Sequence, residues 1–402
     1  MCDVDTFIAW PVLKSLNVLL WAAVGAWVGL AVARGRFWDA RADGLREPLP
    51  DQPTPDVHAV VPARDEADVV ARTLASLIGQ QYAGTLRVTV VDDRSADGTG
   101  AAARALVALH GAAQQVSVVE ARPRPAGWSG KVWAMCEGVA AVRSQGERPA
   151  FWWFTDADVE HDAQTLARLV ATAVGERRDL VSLMVALHCR SGSERLLIPA
   201  FVYFFRLLYP FAWVNDDRRR TAAAAGGCIL LADAALERIG GLERIAGELI
   251  DDCSLAAAVK RDGGRLWLGL ATRSRSLRPY PSLGAIWDMV ARTAYTQLAY
   301  SPLLLAGTVA GMTLLYLAPP AAALGGTLTR RWEIALPGAL AWSMMSATYL
   351  PTVRRYGLSR RSALTLPVAA ALYAAMTVDS ALRHRRGRGG RWKGRSFAPE
   401  PR

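Results

Sequence analysis

Cysteine is scarce and unpaired in this sequence. There are five (Cys2, Cys136, Cys189, Cys228 and Cys253), an odd number without a C-x-x-C pair. That excludes a disulfide framework and the usual zinc spacings, and it favours a reducing compartment for the main domain. Glycine is missing where a dinucleotide-binding Rossmann domain needs it. The turn after the first apolar strand reads Pro62-Ala63-Arg64-Asp65-Glu66, without the G-x-G-x-x-G that lets a backbone approach a pyrophosphate. No internal repeat is visible. A general basic surface is lacking too: the formal net charge is +11, but eight Lys/Arg stand against one acid, Glu400, in residues 383–402. The rest of the chain is nearly balanced, so no nucleic-acid partner is expected.

What the sequence has in quantity is apolar residues. It is 402 residues long, 52% hydrophobic and 21% charged. That is too apolar for disorder and too charged for a bundle lying wholly in lipid. Leu16–Ala33 runs 18 residues without a charge, enough to cross hydrocarbon as a helix. It begins near Asp3 and Asp5, and the arginines follow it at 34, 36, 41 and 46. This flank pattern predicts an uncleaved anchor, residues 1–46, with its C-terminal end in the cytoplasm. Three further uncharged stretches lie in residues 301–382: Ser301–Thr329, Ile334–Val353 and Ser362–Val378. Pro319-Pro320 is expected to break the first of these. Arg354, Arg355, Arg360 and Arg361 fall on the cytoplasmic side if two helices precede them. A third crossing would then export the basic tail against the positive-inside bias, and sequence leaves that conflict open.

Between residues 55 and 300 short apolar runs alternate with helical spacing. Val57–Val61, Leu86–Val91, Val116–Val119 and Phe151–Thr155 read as strands, with helices over Glu66–Ile78 and Ala101–Leu109. This alternation predicts an α/β domain with a mostly parallel sheet, whose ligands bind beyond the carboxyl ends of the strands. Leu196–Val214 is almost wholly apolar. Crossing once would put Asp158 and Asp252 on opposite sides of the membrane, so an interfacial helix is preferred over a spanning or buried one.

Acidic groups stand at those strand ends. Asp92-Asp93 opens a turn (DDRSADGT) in which Asp and Ser also serve as ordinary caps. Asp156-Ala157-Asp158 follows the aromatic strand FWWFT. Oxygen ligands of this kind suit Mg²⁺ or Mn²⁺, which bind one or two carboxylates plus substrate phosphates, although D-x-D alone is common. Asp251-Asp252 precedes a helical run. Helix-dipole stabilisation accounts for acids there, while paired acids also raise one pKa toward that of a general base. Gly127-Trp128-Ser129-Gly130-Lys131 is either an anion-binding turn with its lysine toward a diphosphate, or a surface loop with a solvated lysine.

In order, VVPARDE, VVDDRSADGT, GWSGKVWA, TDADVE, AAGGCILL, IDDCSL and WDMVARTAY resemble the family 2 inverting glycosyltransferases with a GT-A fold. The likeness covers roughly residues 55–300. The whole chain most resembles the hopene-associated bacterial glycosyltransferases, and more distantly ceramide glucosyltransferases. The resemblance implies a nucleotide-sugar donor, a UDP-sugar by preference, and a divalent Mn²⁺ or Mg²⁺. It implies that Pro62, Ala63 and Asp65 border the nucleotide, that Asp93 bonds the base, and that Lys131 lies near the diphosphate. Asp156 would contact the ribose or donor sugar, Asp158 the metal, and Gly226-Gly227-Cys228 the acceptor. Asp252 would be the general base, and Arg292 would match the arginine of the family's Q-x-x-R-W signature, here degenerate. Asp251 stands where the family usually has glutamate. The membrane segments, with the family context, imply a lipid acceptor of hopanoid or related type, and a multi-pass bacterial inner-membrane protein with its catalytic domain in the cytoplasm. Ceramide-type, polyprenyl or polysaccharide transfer, and a noncatalytic membrane scaffold, are the alternatives. The basic tail, 383–402, is either an anionic-lipid anchor or a flap over the donor.

Overall fold

The structure, a computed structural model, describes residues 4–40 and 44–387. The tail expected to bind lipid lies outside the described residues from 388 onward. The chain divides into two compact units. One is α/β and contains residues 44–188 and 211–279. The other is helical and contains residues 4–40, 189–210 and 280–387.

The α/β unit is built on eight strands: β1 (Val57–Ala63), β2 (Leu86–Asp92), β3 (Val116–Glu120), β4 (Phe151–Phe154), β5 (Val159–Glu160), β6 (Leu180–Ala186), β7 (Ile229–Ala232) and β8 (Leu266–Ser276). They form one sheet in the order β3-β2-β1-β4-β7-β6-β8-β5. The pairs β3/β2, β2/β1, β1/β4 and β6/β8 are parallel, while β7 runs antiparallel to both β4 and β6. All seven residues of β1 are buried, which is why VHAVVPA reads as a continuous rather than alternating apolar run. The register Ala63↔Asp92 brings the ends of β1 and β2 level, and β4 starts opposite Val57 on the other side of β1. The loops 62–66, 92–98 and 155–158 therefore leave neighbouring strands at one edge of the sheet. Behind them helix Gly130–Ser144 approaches β1 closely: a Cβ on Gly138 would stand 2.5 Å from Val60 Cγ1. Fully buried Trp152 and Trp153 fill the sheet centre, their indole N–H groups donating to Asp233 Oδ1 (2.7 Å) and Cys228 Sγ (3.4 Å).

The helical unit has its own core, with Trp27, Tyr203, Met345, Leu366 and Met376 fully buried. Among the described residues, four segments are long and apolar enough to cross a membrane: Leu13–Ala33, Gly192–Val214, Pro302–Leu328 and Arg360–Arg385. The helix Trp332–Arg355, which contains the expected crossing Ile334–Val353, is not among them.

Two local expectations are corrected. The run 196–214 is not one element but two helices, Gly192–Leu208 and Phe211–Val214. Pro210 biases its predecessor out of helical geometry, and Tyr209 sits at φ −122°, ψ 75°. The first of these helices is a core element of the helical unit, with Leu197, Ala200 and Tyr203 fully buried. The second correction concerns Pro319-Pro320, which do not break their helix. Pro302–Met312 continues through a π turn, Thr313–Leu317, into Ala318–Leu328. Neither proline has an N–H to offer the carbonyls one turn back, and the widened turn absorbs the mismatch. The Leu315 carbonyl instead accepts the Trp27 indole N–H at 3.0 Å.

Candidate active site

Two loops at the sheet edge are laced together before any chemistry is considered. Asp65 takes a left-handed conformation (φ 50°); its N–H donates to Ser95 Oγ (3.0 Å) and its carboxylate accepts from the Ala96 amide (2.9 Å). The Glu66 and Ala67 amides donate to Thr99 Oγ1 (2.8 Å) and Asp97 Oδ2 (2.9 Å), and Asp92 accepts from the Ser95 amide (2.9 Å). Asp92 and Asp97 thus do the turn and capping work that such residues do in any protein. Asp93 differs: it is 1% exposed, with its carboxylate 3.6 Å from Arg64 Nη1. Pro62 and Ala63, at the end of β1, stand beside this loop, where the Asp93 amide donates to the Ala63 carbonyl at 2.8 Å.

The second group converges on one ammonium. Ser129 caps helix Gly130–Ser144, its side chain accepting from the Val132 amide, and Lys131 extends from the first turn. Its Nζ stands 2.7 Å from Asp156 Oδ1 and 3.4 Å from Asp251 Oδ2. Burial opposes the charge, but Asp156 and Asp251 outweigh it and hold the ammonium protonated above the ordinary lysine range. The solvated-lysine alternative is excluded. Asp251 and Asp252 begin helix Asp251–Arg261. Asp252 Oδ2 accepts the Gly226 amide at 2.8 Å and Oδ1 the Cys253 amide at 2.7 Å. Burial first, then the neighbouring Asp251 charge, push Asp252 up to about 6, against the opposing pull of Lys131 and the two amides. Gly226 lets the loop pass close to the cluster: a Cβ there would lie 2.7 Å from Lys131 Nζ and 3.4 Å from Asp252 Oδ2, so a side chain would shift the ammonium. Pro62, Lys131, Thr155, Gly226, Asp251 and Asp252 line one pocket.

Asp158 is held from another direction. Arg278, two residues past β8, donates Nε to Asp158 Oδ2 at 3.0 Å and Nη2 to Glu66 Oε2. The Leu277 amide donates to the Asp158 carbonyl at 2.7 Å. Behind the D-x-D turn, Thr155 Oγ1 donates to the Gly227 carbonyl (2.9 Å) and meets His161 Nε2 (2.8 Å), while His161 Nδ1 meets Ser274 Oγ (3.2 Å). Burial lowers His161 to about 3, so it stays a neutral link between the D-x-D turn and the glycine loop.

The structure thus joins Lys131, Asp156, Asp251 and Asp252 directly. Asp158 is two residues from Asp156 and tied to Arg278, and Pro62 lines the same pocket. Arg292 follows helix Leu283–Ala291 and belongs to the helical unit. Sequence reading missed Glu66, Arg278 and His161. Arg278 carried one faint signal, a basic run RSRSLR at the end of a strand; the other two carried none.

The donor set fits a hard divalent cation. It offers carboxylate oxygens only, and Asp156, Asp158, Asp251 and Asp252 outnumber Lys131 and Arg278. Among the described residues no cluster of three His, Cys, Asp or Glu side chains is arranged to hold an ion by itself.

A sheet of this order, with a D-x-D turn at its switch point, defines a GT-A nucleotide-sugar transferase fold, and the protein is a glycosyltransferase. The chain belongs to the family described as glycosyltransferase like family 2, whose model matches residues 54–296. No curated protein matches it. Among solved structures, it is similar to a mannosyltransferase from Pyrobaculum calidifontis in complex with GDP-Man and Mn²⁺, at 19% identity and TM-score 0.52. That match covers 92% of this chain and 99% of the other. Glucosyl-3-phosphoglycerate synthase from Mycobacterium tuberculosis, with Mn²⁺, UDP and phosphoglyceric acid, matches at 18% identity and TM-score 0.40, covering 61% of this chain and 78% of that one.

Proposed function

We propose that this glycosyltransferase is membrane-bound and inverting, and moves a sugar from a nucleoside-diphosphate donor, by preference a UDP-sugar, to a lipid hydroxyl. The reading rests on one observation: the Asp252 carboxylate is held by the Gly226 amide in a pocket that Lys131 and Asp251 also line, with Lys131 paired to Asp156. Asp252 accepts the acceptor hydroxyl's proton as that oxygen bonds to the anomeric carbon. The bond from the anomeric carbon to the diphosphate breaks on the opposite face, which inverts the configuration. Asp251 keeps the base's pKa high, and Lys131 carries positive charge toward the departing diphosphate. A divalent ion, Mn²⁺ or Mg²⁺, held by Asp158 with Asp156 beside it, supplies neutralisation of diphosphate charge when bound. Pro62, Ala63, Asp65 and Asp93 border the nucleoside, and Arg292 contacts donor phosphate.

The lipid acceptor is supported by four helical segments among the described residues that are long and apolar enough to span a bilayer, because an apolar acceptor is best met without leaving the membrane. A polycyclic, hopanoid-type alcohol is our preferred acceptor and the cytoplasmic face of a bacterial inner membrane our preferred location. Both rest on the motif resemblance. The test is incubation of membranes containing the protein with radiolabelled UDP-sugars, followed by lipid extraction. Label is expected in the lipid phase with wild type and not with Asp252→Asn. Label confined to water-soluble products would refute the lipid acceptor.

A further inference from the structure

Asp158 is the carboxylate expected to carry the metal, and a guanidinium sits on it. Arg278 bridges Asp158 and Glu66, one nitrogen to each. Both acids are mostly shielded, at 17% and 11% side-chain exposure. The backbone fixes all three partners. Leu277 is hydrogen-bonded to the Asp158 carbonyl, and the Glu66 amide is bonded to Thr99 on the β2 loop. A divalent ion and a guanidinium on the same carboxylate repel one another at close range, so they compete for it. The guanidinium is also the side chain best shaped to grip phosphate oxygens with two parallel bonds.

We propose that Arg278 is a resident counter-ion that keeps Asp158 closed to free divalent metal, and that it transfers to the donor's diphosphate when metal and nucleotide arrive together. The inference rests on the donor-site reading above and adds a positioning residue to it. Metal alone then binds weakly, because it must displace Arg278 without compensation. Metal with nucleoside diphosphate binds well, because the displaced guanidinium gains a phosphate partner. The device makes metal and nucleotide binding cooperative and spares the site from occupation by free cations.

The test measures Mn²⁺ affinity of the full-length protein in detergent, by electron paramagnetic resonance, with and without UDP or GDP. In wild type the nucleotide is expected to tighten Mn²⁺ binding at least about tenfold, the weight of one partly screened charge contact. In Arg278→Gln, Mn²⁺ alone should bind about tenfold tighter than in wild type, and the gain from nucleotide should shrink by a similar factor. Arg278→Lys, which keeps the charge, should stay near wild type for Mn²⁺ alone. Arg275→Gln, which removes an exposed ion pair with Glu160, should change nothing. Unchanged or weaker Mn²⁺ binding in Arg278→Gln overturns the proposal while leaving the donor site standing. If that variant does not fold, wild type alone decides: nucleotide binding without any effect on Mn²⁺ affinity overturns it. A wild type that binds neither Mn²⁺ nor nucleotide overturns the donor-site reading itself.

Discussion

Asp252→Asn removes the proposed base and should also make the protein more stable at neutral pH. The folded-state pKa of Asp252 is raised from 3.8 to about 6, a shift of about two units. At 1.36 kcal/mol per unit, the ionised carboxylate costs the fold about 3 kcal/mol above pH 6. Asparagine keeps one acceptor oxygen, so either the Gly226 or the Cys253 amide loses its partner, an offset of about 1 kcal/mol. The expected net gain is about 1–2 kcal/mol, each kcal/mol moving Tm by about 2–4 °C in a domain of this size. Because the pKa is raised on folding, the favourable contribution of the neutral acid is complete below about pH 4 and lost as pH rises through 6. The variant should therefore be up to about 1 kcal/mol less stable than wild type at pH 4, where only the lost amide partner counts, and more stable by about 1–2 kcal/mol at pH 7.5, while turnover falls about 10²–10⁴-fold. Melting curves at fixed scan rate across pH 4–8, paired with transfer assays, provide the measurement. A variant less stable than wild type at pH 7.5, or a Tm difference that does not change with pH, would refute the assigned cause of the shift.

Other consequences can be checked separately. The acid limb of wild-type kcat/KM should fall near pH 6, where Asp252 becomes protonated, and a limb near pH 4 would show that the base titrates normally. Gly226→Ala should cut turnover at least about tenfold with little loss of fold, because a Cβ would displace either Lys131 Nζ or Asp252 from a pocket where a small misplacement is costly. Wild-type kinetics in that variant would show that the pocket tolerates the shift. Trp27→Phe should destabilise the helical unit by about 1–3 kcal/mol, because it strands the Leu315 carbonyl that neither Pro319 nor Pro320 can serve. Replacing Pro319 with alanine in the same background should restore part of the loss, read as detergent-solubilised Tm.

Much of the first half of the α/β unit is legible in the sequence. The strand runs at 57, 86, 116 and 151 are set by apolar residues a few positions apart, and the structure reproduces each to within two residues. The D-x-D turn and the Asp251-Asp252 pair were visible as acids abutting apolar runs. Local pattern misled where a neighbour from far along the chain intervened. Pro319-Pro320 looked like a stop, and helix continues through them beside an indole from Trp27, 288 residues away. Leu196–Val214 looked like one helix, because hydropathy does not register the backbone restriction that Pro210 places on Tyr209.

The sequence by itself determined the first four strands, the apolar helices, and which acids follow those strands, since those properties are written in short stretches of chain; β5 to β8 were not legible in it. Only the tertiary structure decided that Lys131 meets Asp156 and Asp251, that Gly226 packs against Lys131 Nζ and Asp252, and that Arg278 lies on Asp158 while Arg292 belongs to the helical unit. A charge acts through the distance and burial of its partners, and both are fixed by strand pairing across more than a hundred residues rather than by neighbours in the chain.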